Sequence, residues 1–220
     1  MNIIKKAATS LLESAFAREG RILSVKSWQP DTVFELEVHF PEMSMSKWTT
    51  TQHMKVKVAE GAYRDYTPTM WNAAKQTCTL VVDAVHDGPG SRWARRLRAG
   101  DALVHLGVAS ALDKPELDTP MFAMGDLSAL GHFTALRQLA AGQPVQIAVE
   151  AHAAGHESYL RELHVTPVAS EAALLQWWRN QQATGGMVYL AGNMRSCINL
   201  RKTIKAEGFN GRVRAHGFWK

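Results

Sequence analysis

Residues 64–94 read RDYTPTMWNAAKQTCTLVVDAVHDGPGSRWA and combine an arginine-aromatic-hydroxyl segment, a strand and a glycine-rich turn. The apolar run Leu80–Val85 predicts the strand. The turn at Gly88–Gly90 would open a short helix, and backbone N–H groups at such a helix start bind anions such as phosphate. A glycine turn before a helix is also a common cap, so this segment alone leaves both interpretations open.

The first half of the chain has the pattern of an antiparallel β-structure. Residues 34–40 and 53–58 alternate apolar and polar side chains, which is typical of half-buried antiparallel strands. Further strands are expected at 21–28, 64–69, 77–85 and 101–106. We therefore predict a six-stranded antiparallel barrel over residues 20–112. An amphipathic helix is predicted before it, at 1–19, with Ile4, Ala8, Leu11 and Ala15 on one side.

The second half alternates strands and helices. Strands are predicted at 121–124, 145–149, 159–165, 187–191 and 212–216, and helices at 128–141, 171–182 and 195–207. This order favours an α/β domain with a mostly parallel sheet over residues 118–220, which follows a polar linker near 112–117. Such sheets bind ligands at the carboxyl ends of their strands.

Composition limits the classes of partner. Lysine and arginine exceed aspartate and glutamate by 25 to 20, and a positive balance favours acidic ligands, although a solvated basic surface explains it equally well. The basic residues are dispersed and no nucleic-acid module is present, so we expect no nucleic-acid partner. Cys78 and Cys197 are too few for an iron–sulfur cluster and favour a reduced, cytoplasmic setting. No apolar run is long enough to span a membrane.

Five short motifs occur in order along the chain. They are Arg64-x-Tyr66-Thr67, then His86 with Gly88–Ala94, then Ala99-Gly100-Asp101, then Gly125–Gly131, and last the set Ala191-Gly192-Asn193, Leu200-Arg201 and Gly217-Phe218-Trp219. Together they make residues 20–220 resemble the siderophore-interacting proteins of the ferredoxin-reductase superfamily. Leu127, Gly131 and Asn193 depart from the family pattern, and all three fall in the second half.

The resemblance implies a fold and an activity. It implies an N-terminal flavin-binding barrel that holds FAD, a C-terminal domain for NADPH or NADH, and reduction of a ferric siderophore to release ferrous iron. A flavin suits this reaction because it accepts a hydride and returns electrons singly. The expected molecule is a cytoplasmic monomer. The alternatives are a general flavin or electron-carrier reductase, and a siderophore- or haem-binding module without nucleotide use.

The same resemblance implies the residues of a flavin site. Arg64 would bind the pyrophosphate, Tyr66 would form an aromatic wall for the flavin ring, and Thr67 would offer a hydroxyl. The remaining members of the expected flavin set are His86, Gly88, Gly90, Ser91 and Trp93. Four of these roles have simpler alternatives. Arg64 suits a surface cation, and Tyr66 suits ordinary strand packing. His86 suits a strand end bound to backbone, and Trp93 a plug for the barrel.

Nucleotide and substrate residues are also implied. Asp126 and Ser128 are the expected catalytic residues, with Asp126 alternatively a helix N-cap. Further nucleotide or flavin contacts are expected at Gly192, Arg195, Arg201 and Trp219, where the arginines are alternatively a solvated pair and Trp219 part of a frayed tail. An anionic siderophore would meet Lys55, Lys57, Arg92 and Arg96, unless these form a solvated face. His152 and His156 lack a third ligand, so no metal site is expected.

Overall fold

The computed structural model describes residues 16–110 and 113–220, so the predicted N-terminal helix lies almost wholly outside the described residues. The chain forms two compact units. Of the described residues, the first contains 16–27, 31–110 and Asp113, and the second contains 28–30 and 114–220. Within the described part of the chain, no helix is long and apolar enough to cross a membrane.

The first unit is a seven-stranded sheet with the order β4-β3-β7-β1-β2-β6-β5. Its strands are β1 (Arg18–Trp28), β2 (Val33–His39), β3 (Gln52–Ala59), β4 (Ala62–Tyr66), β5 (Pro68–Asn72), β6 (Thr77–Asp83) and β7 (Ala102–Ser110). The pairings β1–β7, β2–β6, β3–β4, β3–β7 and β5–β6 are antiparallel. Because β1 begins at Arg18, the predicted end of the first helix at residue 19 is wrong.

Alternation of apolar and polar residues correctly identified β2 and β3. In β3, Met54, Val56 and Val58 are buried, whereas Lys55 is exposed. The buried side chains of β2 and β3 join one hydrophobic core with Trp93 and Leu103. The period-two pattern therefore predicted which face of each strand points inward.

The sheet closes on itself at Thr67. Strands β4 and β5 are the two edges of the sheet, yet Thr67 alone separates them in sequence. The two edges must therefore lie next to each other, which confirms the predicted barrel. The prediction of one strand over 64–69 is wrong, because this segment is divided between two strands and the barrel has seven strands instead of six.

A short helix, α1 (Pro89–Ala94), follows β6. Gly88 is its N-cap residue, and the Gly88 carbonyl oxygen accepts a hydrogen bond from Arg92 N at 3.0 Å. Proline at the first helical position suits this start, because that residue needs no N–H partner. The glycine turn therefore opens a helix, as predicted.

The second unit is a parallel five-stranded sheet with the order β10-β9-β8-β11-β12. Its strands are β8 (Met121–Asp126), β9 (Val145–Glu150), β10 (Thr166–Val168), β11 (Met187–Asn193) and β12 (Arg212–Trp219). Its helices are α2 (Leu130–Leu139), α3 (His156–Glu162), α4 (Glu171–Asn180) and α5 (Met194–Ala206), and a 3₁₀ turn at Leu127–Ala129 precedes α2. Consecutive strands run outward from β8 on one side and resume with β11 on the other, which is a doubly wound arrangement.

The segment 159–165 is a helix and a turn, so its prediction as a strand is wrong. Helix α3 begins at His156, and Leu160 is fully buried one turn later. Tyr159 stacks on Trp28 with ring centroids 5.0 Å apart, and His156 meets the same indole edge-on at 5.8 Å. His156, Tyr159 and Leu160 therefore recur at a helical spacing. Trp28, against which two of them pack, lies far away in sequence.

The glycine at position 125 is required by the close approach of β8 and β11. A Cβ atom added at Gly125 would overlap the carbonyl oxygen of Ala191 and lie 3.2 Å from the Phe133 ring. We predict that Gly125→Ala lowers the free energy of unfolding by roughly 3 kcal/mol, because neither strand can move without breaking the ladder. Urea denaturation measures this.

Gly185→Ala is the matched control, because a Cβ atom at Gly185 would meet nothing within 4 Å. Its unfolding free energy should stay within about 0.5 kcal/mol of the parent chain. Equal stabilities of the two variants would contradict the close approach.

Candidate active site

The barrel seam brings several of the predicted flavin residues together. Arg64 and Tyr66 lie opposite Val56 and Met54 in the β3–β4 ladder, so both side chains are on the same face of the sheet. Arg64 is exposed, and its Nη1 donates a hydrogen bond to the carbonyl oxygen of Tyr63 at 2.7 Å. Thr67 follows at the junction of β4 and β5.

Helix α1 packs against this face through Gly90. A Cβ atom at Gly90 would lie 2.7 Å from Tyr66 Oη and 3.4 Å from Arg64 Cγ, so only glycine allows α1 to pack this closely against Tyr66. Trp93 is buried and stacks on Tyr66, with ring centroids 5.9 Å apart and planes inclined by 22°. Arg64, Tyr66, Gly90 and Trp93 therefore form one cluster, which we call the seam cluster.

The Tyr66 phenol stays protonated at neutral pH. Burial raises the pKa of Tyr66 well above its ordinary value, and the nearby Arg64 guanidinium offsets only part of this rise. A protonated phenol can donate a hydrogen bond to a ligand. The seam cluster therefore contains one permanent cation, Arg64, and one hydroxyl donor, Tyr66, both packed beside Gly90.

The other turn residues have simpler surroundings. His86 is exposed in the turn, because β6 ends at Asp83, before the predicted end at residue 85. The His86 carbonyl oxygen accepts a hydrogen bond from Gly88 N at 3.0 Å. Ser91 is buried on α1, and a Cβ atom at Gly88 would meet nothing within 4 Å. Flavin contacts by His86, Gly88 and Ser91 remain predictions.

Three of the four predicted substrate cations are already ion-paired within the protein. Lys55 Nζ lies 2.8 Å from Asp65, its partner across the β3–β4 ladder. The remaining pairs are Lys57 with Glu60 at 3.5 Å and Arg92 with Asp87 at 3.1 Å. Arg96 is exposed and forms no ion pair with any residue of the described ranges. Of the four, Arg96 keeps its charge most available to a ligand.

In the second unit, the Asp126 carboxylate lies at the carboxyl end of β8 and accepts four hydrogen bonds. Oδ1 accepts from the Ser128 backbone N at 2.9 Å and from Ser128 Oγ at 2.5 Å. Oδ2 accepts from Asn193 N at 2.6 Å and from Trp219 Nε1 at 3.1 Å. Asp126 therefore caps the turn that follows β8, as its alternative interpretation expected, and it also binds β11 and β12.

Gly192 and Asn193 complete this arrangement at the end of β11. Gly192 has a φ of +119°, and a Cβ atom there would overlap the Asp126 carboxylate. The Asn193 side chain caps α5 by accepting hydrogen bonds from Arg195 N at 3.0 Å and Ser196 N at 3.1 Å. The departure from the family pattern at Asn193 thus has a local function as an N-cap, a residue type that suits this position.

A cavity of about 270 Å³ opens at the carboxyl ends of β8, β9 and β11. Trp219, which is 37 % exposed, forms part of its wall, so the chain end continues β12 and is not a frayed tail. The ionisable groups in its lining include Asp126, Glu150, Glu171 and His152.

Sequence reasoning missed Glu150 and Glu171. Their signal was positional, since Glu150 is the last residue of β9 and Glu171 is the first residue of α4. Burial is the main cause that raises the pKa of Glu150, and the carboxylates of Asp126 and Glu171 raise it further. His152, whose Nδ1 lies 3.8 Å from Glu150 Oε1, acts in the opposite direction and lowers this pKa.

The two predicted phosphate-binding arginines do not share a site. Arg195 is exposed in the first turn of α5, whereas Arg201 lines a separate groove of about 480 Å³ with Lys202 and Lys205. Neither arginine lines the crevice cavity. A phosphate contact by Arg195 or Arg201 remains a prediction.

His152 and His156 also have separate surroundings. His152 pairs with Glu150, whereas His156 is buried with its Nε2 3.4 Å from the carbonyl oxygen of Pro30. In the described part of the chain, no group of three or more His, Cys, Asp and Glu side chains is arranged to hold a metal ion.

No family model matches the sequence, and no curated protein sequence is similar to it. Solved structures do share the fold. The siderophore-interacting protein from Acinetobacter baumannii is 18 % identical with a TM-score of 0.72, and the match covers 92 % of this chain and 90 % of that chain. A ferredoxin NADP+ reductase from Neisseria gonorrhoeae with bound FAD and NADP is 15 % identical, with a TM-score of 0.67 and coverage of 93 % and 99 %.

Full-length CYP116B46 from Tepidiphilus thermophilus is 17 % identical with a TM-score of 0.71. The match covers 93 % of this chain but only 29 % of that larger protein. At these identities the likeness shows the fold alone. The predicted fold class is confirmed, and structures of siderophore-interacting proteins are among those with the same fold.

The contacts of Asp126 generate a stability prediction. Asp126→Asn replaces a carboxylate oxygen with an amide NH₂, which would face a donor, and we expect a loss of about 3 kcal/mol in unfolding free energy. Ser128→Ala removes one hydroxyl donor from the same carboxylate and should cost about 1 kcal/mol. Urea denaturation compares the two variants, and equal losses would contradict the capping role of Asp126.

Proposed function

We propose that the chain is a flavin-dependent reductase that binds FAD on its barrel, takes electrons from NADH or NADPH, and reduces a ferric siderophore. The observation that carries this proposal is the seam cluster, where Arg64, Tyr66, Gly90 and Trp93 come together. The shared fold with a ferredoxin reductase that has bound FAD and NADP supports it.

The seam cluster fits a flavin nucleotide. The exposed Arg64 guanidinium offers a planar fork of donors that suits a pyrophosphate. Gly90 lets α1 pack directly against Tyr66 and Arg64, which holds both side chains beside the start of the helix. Tyr66, backed by Trp93, provides an aromatic surface, and Thr67 adds a hydroxyl at the junction of the two strands.

The proposed reaction balances in electrons. FAD, when bound, accepts a hydride as an electron pair and gives its electrons up singly. One NADH or NADPH therefore reduces two Fe(III) to two Fe(II) and leaves the oxidised nucleotide and one proton. In this reaction the protein would bind and orient the reactants, and the protonated Tyr66 would donate a hydrogen bond to the bound flavin.

The second unit would hold the nucleotide in its crevice cavity. The carboxyl ends of parallel strands at a doubly wound switch point are the usual location of such ligands. Asp126 and Ser128, the expected catalytic residues, fix the turn after β8 and would act by positioning the nicotinamide. Gly192 permits this turn, and Trp219 forms an aromatic wall.

A second candidate is a reductase for an electron carrier. It is favoured by the ion pairs of Lys55, Lys57 and Arg92, which neutralise most of the cationic surface expected to attract an anionic siderophore. Both candidates use the same flavin chemistry and differ in the electron acceptor. Among the four expected substrate residues, Arg96 would therefore contribute most to the electrostatic attraction of an anionic siderophore.

The flavin site is tested by Arg64→Ala. Loss of charge-assisted hydrogen bonds to the pyrophosphate should weaken FAD binding by about 10- to 100-fold. Fluorescence titration of the apoprotein with FAD measures the dissociation constant. Arg161→Ala is the matched control, because Arg161 is an exposed helix arginine paired with Glu157, and its FAD affinity should be unchanged. A protein that cannot be loaded with FAD would disprove the proposal.

The substrate is tested by Arg96→Glu. We expect the Michaelis constant for an anionic ferric tricatecholate to rise about tenfold, because a surface attraction becomes a repulsion. The Michaelis constant for a neutral ferric chelate should not change. The control Lys75→Glu reverses an exposed charge on the turn between β5 and β6, and it should leave the Michaelis constants for both chelates unchanged. An unchanged constant for the tricatecholate would favour the electron-carrier candidate.

A further inference from the structure

The crevice cavity of the second unit has a defined position in the fold. The order β10-β9-β8-β11-β12 reverses its direction at β8, and the cavity of about 270 Å³ lies at the carboxyl ends of the strands on both sides of this point. In doubly wound folds, a dinucleotide binds across this crevice, and the strand next to the first one presents the residue that contacts the adenosine ribose. Here that neighbouring strand is β9.

Strand β9 ends in a carboxylate at this position. Glu150 is the last residue of β9 and pairs with Asp126 across the β8–β9 ladder. It follows Asp126 by 24 residues, close to the roughly 20 that separate the phosphate-binding turn from the ribose-binding acid in dinucleotide folds. An acid at this position accepts a hydrogen bond from the ribose 2′-hydroxyl, whereas folds that bind a 2′-phosphate use an arginine nearby.

The charged groups around Glu150 favour a ribose with a free 2′-hydroxyl over one with a 2′-phosphate. Glu171, at the start of α4, and Asp126 line the same cavity, and His152 is 3.8 Å from Glu150. No lysine or arginine is among the described residues that line it. A 2′-phosphate would bring nearly two further negative charges to this lining, whose described residues include no lysine or arginine to pair with them.

We propose that the crevice selects NADH over NADPH, with Glu150 accepting a hydrogen bond from the adenosine 2′-hydroxyl and Glu171 adding to the repulsion of a 2′-phosphate. The inference rests on the proposed function in one respect, since it assumes that a nicotinamide nucleotide binds in the crevice. It goes further by assigning a specificity role to two residues outside the flavin site.

The test measures binding without turnover. The FAD-loaded protein is titrated calorimetrically at pH 8 with 5′-ADP, which has a free ribose 2′-hydroxyl, and with 2′,5′-ADP, which carries the phosphate. We expect 5′-ADP to bind at least about tenfold more tightly. Glu150→Gln should reduce this ratio, and Glu150→Arg combined with Glu171→Gln should reverse it. Circular dichroism and flavin content confirm that each variant is folded.

Glu157→Gln is the matched control, because it removes a carboxylate on the surface of α3. The ratio of 5′-ADP affinity to 2′,5′-ADP affinity in this variant should equal that of the parent protein. Equal or tighter binding of 2′,5′-ADP by the parent protein, or binding of neither probe, would overturn the inference.

Anaerobic bleaching of the flavin separates this result from the fate of the proposed function. Selective binding of 5′-ADP without bleaching by NADH would support the specificity and disprove the reductase. Bleaching by NADPH as fast as by NADH, at equal concentrations below saturation, would overturn the specificity and support the reductase.

Discussion

The Asp126 carboxylate joins the carboxyl ends of three neighbouring parallel strands. Its donors come from the turn after β8, from Asn193 at the end of β11 and from Trp219 at the end of β12. A carboxylate has about four acceptor positions, and here all of them are used. These hydrogen bonds fix the position of the crevice wall. They also require a glycine at residue 192, because the Asp126 carboxylate occupies the space that a side chain there would fill.

The barrel depends on a comparable constraint at Thr67. Because this residue alone links the two edge strands, the end of β4 and the start of β5 are held at one place on the barrel. Arg64 and Tyr66 are close to this junction, and the packing of Gly90 against them fixes where α1 begins. The seam cluster therefore lies where backbone geometry leaves little freedom, which favours a site that must hold a ligand in one orientation.

Local patterns predicted the elements whose packing is also local. The alternation in β2 and β3 and the glycine turn before α1 are properties of adjacent residues, and the structure contains all three. The helix α3 was misread because its apolar spacing is short and its main partner, Trp28, is more than a hundred residues away. The pairing of Lys55 with Asp65 requires the β3–β4 register, which composition and spacing do not reveal. Motif order predicted the seam cluster, whereas Glu150 and Glu171 belong to no motif.

The location of charge, and not its sum, determines what each surface can bind. Residues 194–220 contain seven lysines and arginines and one acid, Glu207, so this segment alone accounts for the positive balance of the chain. The crevice cavity instead has Asp126, Glu150 and Glu171 in its lining. Although the net charge of the chain is +5, the carboxylates of this particular crevice oppose a ligand with an additional phosphate.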